Sequence, residues 1–463
     1  MASLATGEGL TPDRDVVPAA DADGQAREWR AFGNWALVWL VLANAGFAVM
    51  WVIGAPPRSA EIVGIGAIGL LVRDRPLAIQ VTAFVLALGY SLLSFIAGLF
   101  NLGVTSLISS MKFFVEIDPM QSIEYSVGAA AIAALMAAAI WRMRRPQGFT
   151  SSKMVLLAVA SILALAALDT WIGMGMRGHY KRAAVAGTPF ESAMGRSGLV
   201  SGATAGQRHI MLIMVESLGD PVANAEMQRL MFRRFNAGAV GARFDVSRGT
   251  TTYYNSTTAG EVRELCGRWG DYYDLIDRVD ASCLPAQLGK AGYETSAYHS
   301  FTGEFFERAS WYPNIGFTNR YFANDLMQQG VRPCGGVFPG ACDRDVPKLL
   351  ADRLKQARNP QFVYWLTLNS HLPVPPGLNL DVDQCERVSP TLARDFPMIC
   401  RQFAIWDAID TAIVDQITQG DFPPTDILIV GDHMPPYFDR HHRSQFAPDR
   451  VPWLMLRWKG DGQ

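Results

Sequence analysis

The sequence predicts a membrane α-helical region of about five transmembrane helices, followed by an extracytoplasmic α/β domain. Three observations carry this. Long uncharged apolar runs are confined to the first 174 residues, short apolar runs alternate with helical stretches from residue 208 onward, and all six cysteines lie in the second half. The 463 residues hold 41 Lys plus Arg against 43 Asp plus Glu, a formal charge of −2. That balance removes the argument for a nucleic-acid partner, which needs a basic surface. Charged residues make up 18% of the chain, below the roughly 25% of ordinary soluble domains.

Residues 1–30 are polar and read as a cytoplasmic tail, with no apolar core of the kind a secretory signal has. The transmembrane domain is read over 31–174. Its apolar runs are 33–54, 59–72, 77–101, 126–141 and 154–173. The first carries no charge, and at about 1.5 Å per residue it spans the roughly 30 Å bilayer core. The second is short and opens near Glu61, so a re-entrant or interfacial helix is its alternative. Glu61 itself reads as an interfacial residue rather than a transport site.

The loop charges test this count. Arg14, Arg27 and Arg30 precede run one, Arg73 and Arg75 separate runs two and three, and Arg142, Arg144, Arg145 and Lys153 separate runs four and five. Five spans put all of these on one side, the cytoplasm by the positive-inside rule, and everything after 174 outside. The mixed loop 102–123 reads equally as an interfacial helix or a linker. Residues 175–207, rich in Gly, Ala and Ser, read as a juxtamembrane connector in which His179 is a surface residue.

The domain 208–463 carries strand-like runs at 209–215, 293–298, 361–368, 426–431 and 451–458. Helical stretches between them predict a mostly parallel sheet covered on both faces. Cys266, Cys283, Cys334, Cys342, Cys385 and Cys400 allow fifteen pairings; the sequence-local set 266–283, 334–342 and 385–400 closes short loops. No CxxC pair supports the rival reading of a zinc site.

In an open α/β sheet, ligands gather outside the carboxyl ends of the strands. Glu216 follows the first run, His299 the second, Asn369, Ser370 and His371 the third, and Asp432 and His433 the fourth. Carboxylates and imidazoles of this kind suit a divalent ion such as Zn²⁺ or Mn²⁺. The segment 255–262 (NSTTAGEV) opens a helix. Thr258 and Glu261 in it have capping-box spacing, which needs no chemistry. The functional alternative is a hydroxyl nucleophile at a helix N-terminus, activated by a metal ion. Residues Asp439 to Arg443 read as a solvated charged loop beside the site.

The order of these motifs, Glu216-Ser217, Thr257 to Glu261, His299 with 305–308 (FFER), 367–373 (TLNSHLP) and 431–433 (GDH), resembles the alkaline-phosphatase/sulfatase superfamily over about 208–458. The chain is most similar to its membrane-anchored phosphoglycerol/phosphoethanolamine transferase branch, that of lipoteichoic acid synthase. The resemblance implies an alkaline-phosphatase-like catalytic domain in the periplasm, on a multi-pass anchor in the bacterial inner membrane. It implies Glu216, Thr257, Asp432 and His433 as ligands of one divalent ion, Mn²⁺ or Zn²⁺, with Thr257 also the nucleophile. His299, Arg308, His371 and Phe306 would contact the phosphoryl group or headgroup. The soluble-sulfatase C/S-x-P-x-R motif is absent, which argues against sulfate-ester hydrolysis.

The implied reaction moves phosphoglycerol from phosphatidylglycerol, through a covalent phospho-threonine, to a glycan or lipid hydroxyl. A phosphoethanolamine transferase fed by phosphatidylethanolamine is the alternative donor reading. A phosphodiesterase using water, or a non-catalytic lipid-sensing relative, is the alternative in kind.

Overall fold

The computed structural model describes residues 19–53, 57–99, 104–110, 123–173, 184, 186–200, 207–437 and 440–460. Outside this range lie most of the N-terminal tail, residues 102–103 and 111–122 of the mixed loop, about half of the connector with His179, and Asp439. The chain divides into two compact units. One comprises Met1–Gly46, Arg58–Gly89 and Ala133–Leu168, and the other Phe47–Pro57, Tyr90–Ile132 and Asp169–Gln463.

Among the described residues, four helices are long and apolar enough to cross a membrane: Asp23–Ala48, Leu77–Gly98, Tyr125–Met143 and Ser152–Gly173. The second apolar run forms the shorter helix Ser59–Val72. Its 14 residues reach about 21 Å, less than a bilayer core. The expected order of five apolar helices is therefore present, with the second one short. The first helix starts at Ala19, inside the stretch read as tail, and carries a π-helical segment at Leu37–Leu42.

Within the first unit, Trp39 in that π segment donates from Nε1 to Gln147 Oε1 at 3.0 Å, and Gln147 Nε2 donates to Gln80 Oε1 at 3.0 Å. A Cβ at Gly69 would lie 2.5 Å from the Trp39 ring, so the helices meet through a missing side chain. Close backbone approach and interhelical amide bonds are the means of association where lipid removes the hydrophobic drive.

The second unit is built on a seven-stranded sheet of order β2-β9-β8-β1-β7-β3-β4. Its strands are β1 His209–Val215, β2 Phe244–Thr252, β3 Glu294–His299, β4 Asn319–Tyr321, β7 Gln361–Leu366, β8 Thr425–Gly431 and β9 Arg450–Trp458. A separate hairpin pairs β5 Pro333–Cys334 with β6 Gly340–Ala341. The five expected strands are all present, and β8, β1, β7, β3 and β4 run parallel. β9 runs antiparallel to β8, and β2 antiparallel to β9, so the sheet is mixed at one edge. β2 was not legible because its sequence, FDVSRGTTT, carries no apolar alternation on an exposed edge.

β1 sits between β7 and β8, and the chain passes across it on its way from β7 to β8. In open α/β sheets, ligands bind outside the carboxyl ends of the strands. Register brings Val215 opposite Gly431 and Leu366 opposite both His299 and Met214. The residues that follow these strands therefore emerge at one edge.

The disulfides are Cys266–Cys283, Cys334–Cys342 and Cys385–Cys400, the sequence-local set. Cys266–Cys283 ties the end of helix Thr257–Cys266 to the start of helix Leu284–Lys290. Replacing both of these cysteines by alanine is expected to lower stability by about 2–4 kcal/mol through the freed unfolded chain. Denaturant unfolding followed by tryptophan fluorescence measures this.

Candidate active site

Glu216 leaves the end of β1 and is followed at once by Ser217 with φ +56, a left-handed conformation that is costly for a serine. Two hydrogen bonds hold it there. Ser217 N donates to Asp432 Oδ1 at 2.8 Å, and Ser217 Oγ donates to Glu216 Oε1 at 2.9 Å. The Glu216 backbone is fastened as well: its N–H donates to Thr367 Oγ1 at 2.9 Å, and its carbonyl accepts from Ser370 Oγ at 2.6 Å. The loop after β7 thus sets the position of the loop after β1.

Thr257 is the first residue of the ten-residue helix Thr257–Cys266, every residue of which is buried. Its Oγ1 donates to Glu216 Oε2 at 3.1 Å and lies 3.2 Å from His433 Nε2. His433 Nε2 is 3.4 Å from both Glu216 Oε1 and Asp432 Oδ2. Glu216, Thr257, Asp432 and His433, expected together from the sequence, are therefore in one cluster. The capping-box alternative is not what forms. Thr258 Oγ1 donates to Asp271 Oδ1 at 2.5 Å, and Glu261 turns toward Arg308.

This cluster fits a divalent cation. One ligand atom from each of Glu216, Asp432 and His433 lies within 4.8 Å of the others. Asp432 Oδ2 is buried and accepts no hydrogen bond, an expensive state for a carboxylate unless something positive meets it. His433 Nδ1 lies 2.9 Å from the Met434 carbonyl. A carbonyl can only accept, so Nδ1 carries a proton, and loss of the second proton from Nε2 would leave that nitrogen's lone pair free for a cation beside the acids. Three oxygens and one imidazole nitrogen suit Zn²⁺ or Mn²⁺.

The same atoms titrate as a group. Burial opposes a charge on His433, but Asp432 and Glu216 outweigh it and raise its pKa to about 9. Burial and then the Glu216 charge push Asp432 up to about 7. A cation must displace the protons held here. Affinity is therefore expected to rise with pH below about 9, by about tenfold per unit for each proton released. Calorimetric titration in buffers of differing ionisation heat checks both slope and proton count.

His299, the last residue of β3, is buried, with Nδ1 3.1 Å from Leu366 O. His371 Nδ1 lies 2.7 Å from Leu372 O. By the argument used for His433, both rings present Nε2 as an acceptor. Burial, reinforced by the Arg308 charge, keeps His299 well below the usual histidine pKa. Burial also lowers His371, against the pull of Glu216. Both shifts favour the neutral ring, whose Nε2 can then accept a hydrogen bond or a proton.

Arg308 is placed differently from a free phosphate-binding cation. Its Nε and Nη2 donate to Glu261 Oε2 at 3.0 and 2.9 Å, and Nη1 donates to Phe305 O at 3.1 Å. Its guanidinium also lies 5.4 Å from the Phe306 ring centre. Phe306, with φ +55, joins Phe301, Phe305 and Phe338 in an aromatic group, and Phe338 lies 4.1 Å from the His371 ring.

Sequence reading missed Asp343. It is buried, its Oδ2 accepts from Leu368 N and Asn369 N at 2.8 and 2.6 Å, and burial raises its pKa to about 6. Nothing local marks it, because the loop it holds is distant in sequence. Arg263 and Glu264 were missed too, since charged residues inside a helix normally read as a solvated face.

Searched against the solved structures, the chain is similar to lipoteichoic acid synthase LtaP of Listeria monocytogenes, at 17% identity and TM-score 0.42 over 56% of this chain and 68% of that one. It is similar to the phosphoglycerol transferase GacH of Streptococcus pyogenes, solved with sn-glycerol-1-phosphate, at 15% identity and TM-score 0.37 over 59% and 78%. It is also similar to the periplasmic domain of EcEptC from Escherichia coli, at 13% identity and TM-score 0.35 over 55% and 73%. No curated protein matches the chain. The sulfatase family model matches residues 208–461, more than half of the sequence, and the chain belongs to the sulfatase family.

Proposed function

We propose that the protein is a membrane-anchored phosphotransferase that moves phosphoglycerol from phosphatidylglycerol to a glycan or lipid hydroxyl through a phospho-threonine at Thr257. The observation that carries this reading is the Thr257 hydroxyl, 3.1 Å from Glu216 Oε2 and 3.2 Å from His433 Nε2, in a buried cluster that also holds Asp432. A divalent ion held by these groups would ease loss of the hydroxyl proton and neutralise a phosphoryl oxygen.

In the first step Thr257 Oγ1 bonds to phosphorus as the bond to the diacylglycerol oxygen breaks. The proton that Thr257 loses is matched by the one the diacylglycerol oxygen gains, both exchanged with solvent, and the lipid leaves. In the second step an acceptor hydroxyl bonds to the same phosphorus as the phosphorus–Thr257 bond breaks, and Thr257 Oγ1 regains a proton. The neutral Nε2 of His299 or His371 takes the acceptor's proton, the role for which their Nδ1 bonds to backbone carbonyls prepare them. The absence of C/S-x-P-x-R at the helix start speaks against sulfate esters.

Three disulfides in the second unit and the cation-rich loops of the first half support a catalytic domain in the periplasm, on an inner-membrane anchor. The four donors meeting in one place favour catalysis over a lipid-sensing role.

The test is to incubate the purified full chain with labelled phosphatidylglycerol and, separately, phosphatidylethanolamine, with Mn²⁺ or Zn²⁺. Diacylglycerol release from phosphatidylglycerol is the expected result. Release from phosphatidylethanolamine alone moves the assignment to ethanolamine, and release from neither overturns the proposal.

A further inference from the structure

The helix that begins at Thr257 has an unusual second half. Arg263 and Glu264 are 1% and 2% exposed, at the depth of core residues. Arg263 Nη2 donates to Gly431 O at 2.9 Å, and Nη1 donates to Asp432 O at 3.2 Å. Its Nε donates to Glu264 Oε1 at 2.6 Å. One guanidinium therefore grips two successive carbonyls at the end of β8, the second belonging to Asp432. Arginine's planar fork is suited to such a fixed multi-point grip, and lysine is not.

Gly260 lies between Thr257 and Arg263, one helical turn from each. A Cβ there would come to 3.2 Å from Asp432 Cα, Cβ and O. The helix backbone is thus in contact with the Asp432 residue itself. Thr257, Gly260 and Arg263 follow at i, i+3 and i+6, and each meets the Gly431–His433 segment: Thr257 at His433, Gly260 at Asp432 and Arg263 at both Gly431 and Asp432.

Glu264 completes the arrangement from behind. Its carboxylate accepts from Ala193 N at 3.1 Å and Met194 N at 2.8 Å, at the start of the short helix Ala193–Ser197 that precedes the family-matched region. The Glu264 charge is therefore satisfied by Arg263 on one side and by two backbone amides on the other.

We propose that Arg263 is a positioning residue: through its grip on the Gly431 and Asp432 carbonyls it fixes Asp432 and His433 at their distance from Thr257, with Glu264 and residues 193–194 as its buttress. A fully buried arginine is a costly way to hold two carbonyls unless their placement matters. Outer partners that orient metal-binding groups commonly change affinity about 10–100-fold when removed. The inference rests on the proposed divalent site but not on the identity of the lipid donor.

The experiment measures Mn²⁺ and Zn²⁺ affinity of the full chain in detergent, beside kcat and KM for diacylglycerol release. Arg263→Met is expected to weaken metal binding at least about tenfold and to lower kcat with little change in KM, and Arg263→Lys to restore part of both. Glu264→Gln and Gly260→Ala, which keep the arginine, should shift metal affinity in the same direction. If Arg263→Met fails to fold, these two variants decide. Folded variants that bind metal and turn over within twofold of the parent chain overturn the proposal. A parent chain that binds no divalent ion overturns both this inference and the transferase reading, whereas a parent that binds metal but releases no diacylglycerol overturns only the latter.

Discussion

Thr257→Ala is expected to lower diacylglycerol release by about 1,000-fold or more, as loss of a covalent nucleophile does, while leaving the fold intact. The hydroxyl makes one donated hydrogen bond, to Glu216, so its removal costs about 1 kcal/mol of stability at most. Alanine is also a good residue in a first helical turn. The loss in rate is therefore chemical. Mass spectrometry of the parent chain quenched during turnover should find a glycerophosphoryl adduct on the peptide holding Thr257, absent from the variant.

Two neighbouring hydroxyls give this prediction its edge. Thr258 Oγ1 is committed to Asp271, which also holds Asn255. Ser256 Oγ is buried without a hydrogen-bond partner, and it caps the helix without bonding to it. Thr257 alone among the three bonds to both the Glu216 carboxylate and the His433 ring. An alanine variant retaining a tenth of the parent rate transfers the nucleophile to Ser256, and Ser256→Ala would then show the loss.

How much of this was readable in the sequence follows the range of the interactions concerned. β1, β7 and β8 are short runs of apolar residues, and the polar residues that end them stand out because the apolar run stops there. Glu216, Asp432 and His433 could be named for that reason. Thr257 was visible only by its place at a helix start, where a cap competes as the explanation. The roles of Glu261, Arg263 and Asp343 were not readable. Each acts on a partner 25 to 169 residues away, and a charged side chain gives no local sign of whether it is buried. β2 escaped for the opposite reason, since an exposed edge strand needs no pattern.

The same long-range pairing makes Glu261 the second site of large effect. Its carboxylate is 0% exposed. It accepts from Arg308 Nε and Nη2, from Tyr312 OH at 2.5 Å and from Tyr364 OH at 3.1 Å. Burial works against the Arg308 charge, but Glu261 more than compensates and holds the guanidinium above its ordinary pKa. Both tyrosines, buried beside an acid, are held well above theirs and act as donors. Glu261→Leu leaves a buried guanidinium without its counter-ion and is expected to cost about 3–5 kcal/mol, read as a fall in unfolding midpoint.

The double variant Glu261→Leu with Arg308→Met removes both charges. It should recover much of that stability, because an apolar pair of similar volume replaces an ion pair at little net cost. Activity then separates two roles for Arg308. Sequence resemblance implies contact with the phosphoryl group, whereas its observed bonds go to Glu261 and to the Phe305 carbonyl beside Phe306. If Arg308 only braces the helix of Thr257, the refolded double variant transfers at a rate near the parent's. If it also meets substrate, the double variant is stable but slow, with the defect in kcat. A stable Glu261→Leu variant with an unchanged midpoint would instead mean that the clamp adds nothing to the fold, and would remove the ion pair from the account of how Thr257 is held.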